Sequence, residues 1–577
     1  MTLSRIKFCT LLVLLFFPSL GEGWGEAFAQ HEQPAPKWVA KTCKAIVSVL
    51  TYDQQNELLH SGTGAFISQD GIGVSDYALW RDAYRAVVVD MDGKSYDVER
   101  ILGADDMYGA VRFRVAARKV NHLSVAPAAA SAEGQTVHVL TFQKKAPVSC
   151  PELTIEKKEL VDGGYAYFTL SRVLDSKYSG GLLFTETGDF VGIVQSPVGN
   201  RSYAVDSRLA AALQIEAIQT KTGAIALQNI HLPGGLPDSQ EEALVYLYFK
   251  SRSAGNEEYM DLLNLFLTTW PDCAEGYLRR ATPLMDLQRF EEADSDLKTY
   301  LRLAADKAQA EANVAQSIYT KLTYQSDVPY AAWSYDTALD HVDRALSLTT
   351  DSVQQLSYQL QKAQILMAKP DARGALAIYD RLNSGPYRSP SLLYAASLAH
   401  AQLGDSATVQ IALLDSALTM FSTPLPEEAA NYFMRRGQLH ASSGHFRQAV
   451  QDYNQYCYLK NNRVSAVFYY ERSQLEVEGR MYQQALDDLD AAIGKAPGEA
   501  LYHMEKSAVL LRVGETEQCI ESARHALLLD PNMSDAHRIL GYALIQSGQK
   551  AEGRRSLERA IELGDETAQE LIDKYAK

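Results

Sequence analysis

The stretch Ser-Lys-Tyr-Ser-Gly-Gly-Leu-Leu-Phe occupies residues 176–184, and Thr-Gly-Asp-Phe-Val-Gly-Ile-Val follows at residues 187–194. The pattern predicts a tight turn that carries Ser179, then two short apolar strands joined by a second glycine turn. A serine on such a turn is a candidate nucleophile, but its hydroxyl reacts poorly at neutral pH unless a neighbouring base takes its proton. The residues around Ser179 therefore decide what this part of the chain can do.

Short apolar segments separated by Gly and Asp turns fill the region 38–222. Segments of this length that are rich in Val, Ile, Phe and Tyr are typical of β-strands. The predicted strands cover residues 45–50, 64–68, 86–90, 94–98, 110–115, 137–142 and 165–170. We therefore expect an all-β barrel or sandwich.

Several motifs in this region resemble those of HtrA-type, trypsin-like serine proteases. The matching segments are Gly-Thr-Gly-Ala-Phe-Ile at 62–67, Asp-Gly at 70–71, Asp-Gly-Lys-Ser-Tyr at 92–96, and the last strand and closing helix at 203–213. They keep the family's order along most of the region. The resemblance implies a double β-barrel in which Ser179 occupies the nucleophile position.

At the other catalytic positions the chain departs from this family. Counting from the Asp-Gly turn places Ala78 where the family has its general-base histidine, and Tyr108 where it has its aspartate. Only Ser179 of the triad remains, and loss of the base costs several orders of magnitude in rate. The backbone N–H groups of Lys177 and Ser179 match the family's oxyanion hole, but Lys177 stands where the family has a glycine.

Few other side chains could act as a base for Ser179. Asp76 precedes Ala78 by two residues and points the same way on a strand, but a carboxylate is a weak base for serine. Lys177 would need burial to lower its pKa. The histidines of the region are His60, His122 and His138, and none follows the Asp-Gly turn at the family's spacing.

A change of composition marks the end of the β region. Residues 223–238 are predicted to form a linker, because His-Leu-Pro-Gly-Gly-Leu-Pro-Asp at 231–238 disfavours regular structure. Proteases of the HtrA type usually carry a PDZ domain next. Residues 239–577 show a helical period instead, beginning with a capping box at 239–242.

The helical region repeats itself. Four units begin at Ala430, Ala466, Ala500 and Ser534, which gives spacings of 36, 34 and 34 residues. This period, with small residues at the eighth and twentieth positions, resembles tetratricopeptide repeats (TPRs), each a pair of antiparallel helices. Earlier, weaker units bring the expected total to about eight or nine, and a capping helix is predicted at 566–576.

Stacked repeats of this kind form a solenoid whose concave groove binds a peptide or protein segment. First-helix positions supply the groove. The candidates are Met434, Gln438, Tyr470, Gln474, Met504, Arg538 and Tyr542. The Lys and Asn set with which chaperone-binding TPRs hold a C-terminal carboxylate is missing from the matching positions, so that ligand is not expected.

The N-terminus is typical of a secretory signal. Arg5 and Lys7 precede an apolar run at 8–17, and Ala-Phe-Ala at 27–29 is a small-residue cleavage site. The sequence therefore predicts export, to the periplasm or envelope if the source is bacterial, with residues 1–29 removed. An uncleaved N-terminal anchor is the alternative. No later stretch is apolar enough to cross a membrane.

Charge and cysteine content exclude several classes of ligand. The formal net charge of −16 argues against nucleic acid as a partner. No Cys-x-x-Cys pair, phosphate loop or dinucleotide fingerprint occurs, so neither a metal nor a cofactor is expected. Cys43 and Cys150 lie in one predicted domain. The sequence allows either a disulfide between them or two buried free thiols.

Two functions follow from this reading. In the first, the chain is an exported interaction scaffold, a TPR solenoid joined to an inactive trypsin-like domain. In the second, Ser179 acts with a non-standard base as a serine endopeptidase or hydrolase, and the repeats recruit its substrate or regulator. A weaker variant of the first keeps the barrel cleft as a sensor for extended peptides. The oligomeric state is left open by the sequence.

Overall fold

The chain forms two compact units, Met1–Asp272 and Cys273–Lys577. The computed structural model describes residues 35–144, 148–218 and 221–575. The predicted signal peptide, residues 1–29, lies outside the described residues.

Six antiparallel strands close the first barrel of the N-terminal unit in the order β1-β2-β3-β6-β5-β4. These strands are β1 (Ile46–Tyr52), β2 (Leu58–Phe66), β3 (Ile72–Asp76), β4 (Arg85–Val89), β5 (Ser95–Asp105) and β6 (Ala110–Val115). Apolar side chains fill the interior, with Trp80 and Phe113 fully buried. The indole N–H of Trp80 donates to Ser75 Oγ at 2.7 Å, so its one polar group is satisfied inside the core.

The second barrel repeats this architecture, with strand order β10-β11-β12-β9-β8-β7. Its strands are β7 (Thr136–Leu140), β8 (Glu152–Val161), β9 (Tyr165–Leu170), β10 (Leu182–Thr185), β11 (Phe190–Val194) and β12 (Ser202–Asp206). An apolar cluster that includes Ile46 and Ala110 from the first barrel and Phe184 and Ile193 from the second joins the two. The predicted all-β, double-barrel domain is confirmed.

Five helices accompany the barrels: α1 (Val39–Thr42), α2 (Ser207–Ala212), α3 (Lys221–Gln228), α4 (Gln240–Lys250) and α5 (Asn256–Thr269). Helix α2 is the closing helix expected after the last strand. Asp206 caps it by accepting the backbone N–H of Arg208. Ser239 caps α4 in the same way through the N–H of Glu242.

The segment predicted as a linker, 223–238, is ordered against the first barrel. Ala226, Ile230 and Leu232 are buried in the first barrel's core cluster. The backbone N–H of Ile101 in β5 donates to the carbonyl of Pro233 at 2.9 Å. These apolar side chains extend the core of the first barrel, so the segment belongs to the N-terminal unit, which ends at Asp272.

The second unit is all helical within its described residues. Its helices are α6 (Ala274–Asp286), α7 (Phe290–Leu303), α8 (Lys307–Tyr324), α9 (Tyr335–Leu348), α10 (Ser352–Ala368), α11 (Ala372–Asn383), α12 (Pro390–Gln402), α13 (Ala407–Leu418), α14 (Ala430–Ser442), α15 (Phe446–Leu459), α16 (Ala466–Glu478), α17 (Tyr482–Lys495), α18 (Ala500–Val513), α19 (Thr516–Leu529), α20 (Ser534–Gln546), α21 (Lys550–Glu562) and α22 (Thr567–Tyr575). Consecutive helices from α6 to α21 pack in pairs, and α22 packs on α21. The predicted all-α solenoid is confirmed.

Small residues hold the helices of a pair close together. Helices α14, α16, α18 and α20 begin at the four residues that the repeat period predicts. A Cβ atom at Gly553 would lie 2.6 Å from the carbonyl oxygen of Gly541, and one at Gly541 would lie 2.8 Å from the carbonyl oxygen of Gly553. The eighth and twentieth positions of this repeat are therefore small because two backbones meet there.

Candidate functional site

The residues matched to a protease triad lie where the two barrels meet. Ala78 is exposed in a 3-10 turn, Tyr77–Leu79, directly after β3. Tyr108 precedes β6, the strand paired with β3, and the N–H of Tyr77 donates to the carbonyl of Gly109. Since β3 and β6 are neighbours, these positions are brought to the same edge of the first barrel.

The turn that carries Ser179 lies against this edge. A Cβ atom at Gly180 would lie 3.2 Å from the Cβ of Asp76, the last residue of β3. Gly180 has a φ of 72°, a conformation that favours glycine. Ser179 itself is half-buried, and its hydroxyl makes no hydrogen bond within the part of the chain that the structure describes. The structure thus gathers the predicted positions around Asp76.

Asp76 is the buried carboxylate of this cleft, with 8% of its surface exposed. Its Oδ1 accepts the backbone N–H of Ala78 at 3.0 Å and so caps the 3-10 turn. Burial raises the pKa of Asp76, and the hydrogen bond from Ala78 partly opposes this. The Asp76 carboxylate therefore stabilises the 3-10 turn at Ala78 and lies next to Gly180. Among the described residues it accepts no hydrogen bond from the Ser179 hydroxyl.

The backbone donors expected to form an oxyanion hole are directed into their own turn. The N–H of Ser179 donates to the carbonyl of Ser176 at 3.0 Å, and the N–H of Lys177 donates to Asp175 Oδ1 at 3.1 Å. Both bonds belong to the 3-10 turn Ser176–Tyr178. An oxyanion hole needs free donors aimed at the developing charge, and this conformation does not present these two.

The other candidate bases from the sequence are Lys177 and the three histidines of the barrel region. The side chain of Lys177 is 67% exposed and its Nζ lies 4.0 Å from Asp175 Oδ2. His138 lies on β7, and its ring packs on Trp38 at a centroid distance of 5.9 Å. His60 and His122 are exposed, on β2 and in the loop after β6.

Sequence reasoning missed Gln195, which fixes the backbone at Tyr108. Gln195 follows β11, and its Nε2 donates to the carbonyl of Tyr108 at 2.5 Å. Its Oε1 accepts from the hydroxyl of Tyr167 at 2.7 Å. The sequence did contain a signal for this residue. Gln195 is the first polar residue after a strand whose residues are all buried, and buried polar groups at such a strand end need hydrogen-bond partners. Gln195 therefore bridges the two barrels at the cleft.

A cavity of about 800 Å³ lies elsewhere in the same unit, bounded by the segment 230–234 and by α4 and α5. Its volume is in the range of small-molecule sites. The charged groups on its wall are neutralised in pairs. Lys250 Nζ lies 2.7 Å from Glu258, and Arg100 donates to both oxygens of Asp261 at 2.6 and 2.8 Å.

The seven predicted groove residues of the second unit do not share one environment. Met504 is 9% exposed and belongs to a core cluster, so its assignment to a binding surface was wrong. Its long apolar side chain fills the space between neighbouring repeats. Tyr470 also packs against that cluster, Met434 packs against another core cluster, and Gln474 is half-buried. Gln438 remains exposed.

Arg538 and Tyr542 line one cavity of about 390 Å³ beside the last helix. The ring of Tyr542 contacts that of Tyr575 on α22 at a centroid distance of 5.3 Å. Arg538 Nε donates to Asp565 at 2.6 Å, so its charge is already compensated. Of the predicted groove set, Gln438 is thus the exposed residue, and Arg538 and Tyr542 are half-buried at this cavity.

Three repeats share a buried ion pair that the sequence reading missed. In each, an arginine at the seventh position makes two hydrogen bonds to an aspartate sixteen residues later, on the second helix of the same pair. The three pairs are Arg280 with Asp296, Arg436 with Asp452 and Arg472 with Asp488. The constant spacing of sixteen residues between arginine and aspartate could have predicted these pairs from the sequence. These pairs join the two helices of a repeat.

Fold and site together give two closed six-stranded barrels with the Ser179 turn beside Asp76, followed by helical repeats. Within the described ranges, no helix has the length and apolar character needed to cross a bilayer. No group of three or more His, Cys, Asp or Glu side chains suited to a metal occurs there either.

Comparison with known proteins gives partial similarity. No protein-family model matches the chain. The small glutamine-rich tetratricopeptide repeat-containing protein 2 of Mycosarcoma maydis is 27% identical over 96 residues, which are 16% of this chain and 27% of that protein. A solved structure of the HtrA-type protease AlgW with a tripeptide aligns with 30% of this chain and 60% of its own, at 15% identity and a TM-score of 0.26. The chain thus spans about a quarter of the curated relative.

Proposed function

We propose that this protein is an exported interaction scaffold, in which a proteolytically inactive trypsin-like domain is joined to repeats that bind a protein or peptide. The observation that carries the proposal is the closed turn at Ser179. Both backbone donors that would stabilise an oxyanion, those of Lys177 and Ser179, bond within the turn. Ala78 offers only a methyl group where a base would be needed.

Export rests on the signal-like residues 1–29, which precede the described residues. The repeat unit supplies the binding role, because a solenoid of helix pairs presents a long surface to a partner. In this proposal the double barrel contributes a second surface at its cleft. A periplasmic or envelope location follows if the source is bacterial.

A fluorophosphonate probe tests the inactivity of Ser179. We expect no covalent labelling of the purified full chain, because the hydroxyl has no base and the tetrahedral adduct would have no oxyanion donors. Trypsin in the same reaction confirms that the probe is reactive. Ser179→Ala and Ser176→Ala provide a matched pair on one turn.

Labelling that disappears in Ser179→Ala but persists in Ser176→Ala would contradict the proposal. It would support the second function, a hydrolase in which Asp76 beside Gly180 serves as the base. The raised pKa of Asp76 is the observation that favours this alternative.

A photoreactive amino acid tests the binding surface of the repeats. Gln438 on α14 and Gln451 on α15 are both exposed, and they lie on the first and second helix of one pair. We expect the full chain to cross-link a protein of the native envelope fraction from position 438 and not from position 451. Competition by unlabelled full chain should abolish the product. Equal cross-linking from both positions would contradict the use of the first-helix face.

A further inference from the structure

The segment before the first barrel is seated on the second barrel. This strap, residues 36–45, leads into β1. The indole N–H of Trp38 donates to the carbonyl of Glu186 at 2.9 Å, and its ring lies 5.4 Å from that of Phe184 on β10. A Cβ atom at Gly188 would come within 2.7 Å of the Trp38 ring. The strap therefore fits closely over the β10–β11 turn.

Two cysteines lie where the strap meets the second barrel. Cys43 lies near the end of the strap, and Cys150 lies two residues before β8. Both side chains are half-buried and pack against the same apolar cluster between the barrels. Neither is bonded to another cysteine.

The two thiols are near enough to influence each other's ionisation. Burial raises the pKa of Cys43. Burial, followed by the negative charge that Cys43 would carry, raises the pKa of Cys150 to about 11. Coulomb interaction decays with distance, so this coupling agrees with their common place in the cluster.

The cysteines of the second unit are placed differently. Cys273, Cys457 and Cys519 are buried. Cys519 belongs to a core cluster, and burial raises its pKa to about 12. Cys457 donates to Asn462 Oδ1 at 3.2 Å. Among the described cysteines, Cys43 and Cys150 are thus the two that share a cluster.

We propose that Cys43 and Cys150 form a disulfide that ties the strap to the second barrel. The oxidant is an external disulfide, either a small molecule or a thiol–disulfide oxidoreductase. The Cys43 thiolate attacks one sulfur of that disulfide and expels a thiolate, which leaves a mixed disulfide on Cys43. The Cys150 thiolate then attacks the Cys43 sulfur and expels the second thiolate. In total, two electrons pass from the cysteines to the oxidant, and their two protons are taken up as it becomes two thiols.

The bond would act on the whole double barrel. The chain between Cys43 and Cys150 contains all six strands of the first barrel and β7. A cross-link that closes so long a segment restricts the unfolded chain strongly. It would also fix the strap at the junction of the barrels, beside which the Ser179 cleft lies.

Peptide mapping of the full chain under non-reducing conditions tests the proposal. The protein is equilibrated with a mixture of reduced and oxidised glutathione, quenched with acid and alkylated after denaturation. We expect a peptide that links Cys43 to Cys150 and is lighter by two hydrogen atoms than its reduced parts. Cys273, Cys457 and Cys519 should all be recovered as alkylated thiols.

Stability under reduction supplies an independent measurement. We expect reduction to lower the melting temperature of the β unit by about 5 °C or more in the wild type. It should leave the double variant Cys43→Ser, Cys150→Ser unchanged. Free thiols at a large excess of oxidised glutathione, a stable mixed disulfide on Cys43, or a link to a different cysteine would overturn the proposal. If the variant does not fold, the wild-type peptide map alone decides.

Discussion

Replacing Asp488 by alanine is expected to lower the free energy of local opening of helices α16 and α17 by about 3–5 kcal/mol, because Arg472 is then left buried without its counter-ion. Arg472 donates from Nε and Nη2 to the two oxygens of Asp488, each at 2.6 Å. Asp488 is 6% exposed. A third bond, from Arg472 Nη1 to Asn454 at 2.9 Å, continues the network to the preceding repeat.

Hydrogen exchange of the full chain, followed by mass spectrometry on peptides from α16 and α17, measures this effect. Asp490→Ala on the same helix is the control. Its partner Lys506 and Asp490 itself are partly exposed, so the loss there should stay below about 1 kcal/mol. Replacing the whole pair, with Arg472→Met and Asp488→Leu, should restore most of the stability because no buried charge is left alone. Equal effects of Asp488→Ala and Asp490→Ala would contradict the assignment.

A second large effect concerns Glu476, whose carboxyl group lies buried beside this ion pair. Glu476 is 3% exposed, and its Oε2 has no hydrogen-bond partner among the described residues. Burial, with a smaller contribution from the charge of Asp488, raises the pKa of Glu476 to about 8. Arg472, whose Nε lies 4.0 Å from Oε1, opposes the shift without cancelling it. Asp487 also faces the group and raises the pKa slightly.

The direction of the pH dependence follows from proton binding. Below the ordinary pKa of glutamate, both folded and unfolded chains hold the proton. Between about pH 4.5 and pH 8 the unfolded chain loses it and the folded chain keeps it, so stability falls as the pH rises. Above about pH 8 the folded chain also loses the proton, and stability stops falling with pH. Glu476→Gln should remove this loss and stabilise α16 and α17 by roughly 2–4 kcal/mol at mildly alkaline pH, with little change near pH 5.

Opening free energies from hydrogen exchange at several pH values check this profile. Glu478→Gln, an exposed position on the same helix, is the matched control and should leave the profile unchanged. A variant Glu476→Gln that keeps the wild-type slope would show that another group titrates in this range.

Local patterns predicted much of the fold because they report on short-range physics. The β9 strand was predicted at its observed bounds, 165–170, and four helices begin where the repeat period places them. Strand β8 was missed, since Glu-Lys-Lys-Glu at 156–159 is not apolar. Only the first part of that strand is buried, at Leu153 and Ile155, and the rest is held by pairing with β9. Pairing between strands leaves no pattern in one segment read alone.

The candidate site likewise combines features that residue identity reveals with features that only the fold decides. The identities of Ala78 and Ser179 at the positions matched to a triad are readable from the sequence, whereas the direction of a backbone N–H is not. In the folded protein the N–H groups of Lys177 and Ser179 bond within the turn Ser176–Tyr178, which the residue types of the turn do not specify. Met504 was misplaced for a related reason, because a helical period identifies a face but not whether a neighbouring repeat covers it.

The sequence by itself determined the two architectures, the repeat period and the presence of alanine rather than histidine at position 78. Those properties follow from side-chain identity at fixed intervals along the chain. Only the tertiary structure decided that Asp76 lies against Gly180 and that Cys43 and Cys150 share one cluster. It also decided that the backbone N–H groups of Lys177 and Ser179 bond within their own turn. These contacts join residues distant in the chain, and they exist only after barrel closure brings the strand ends together.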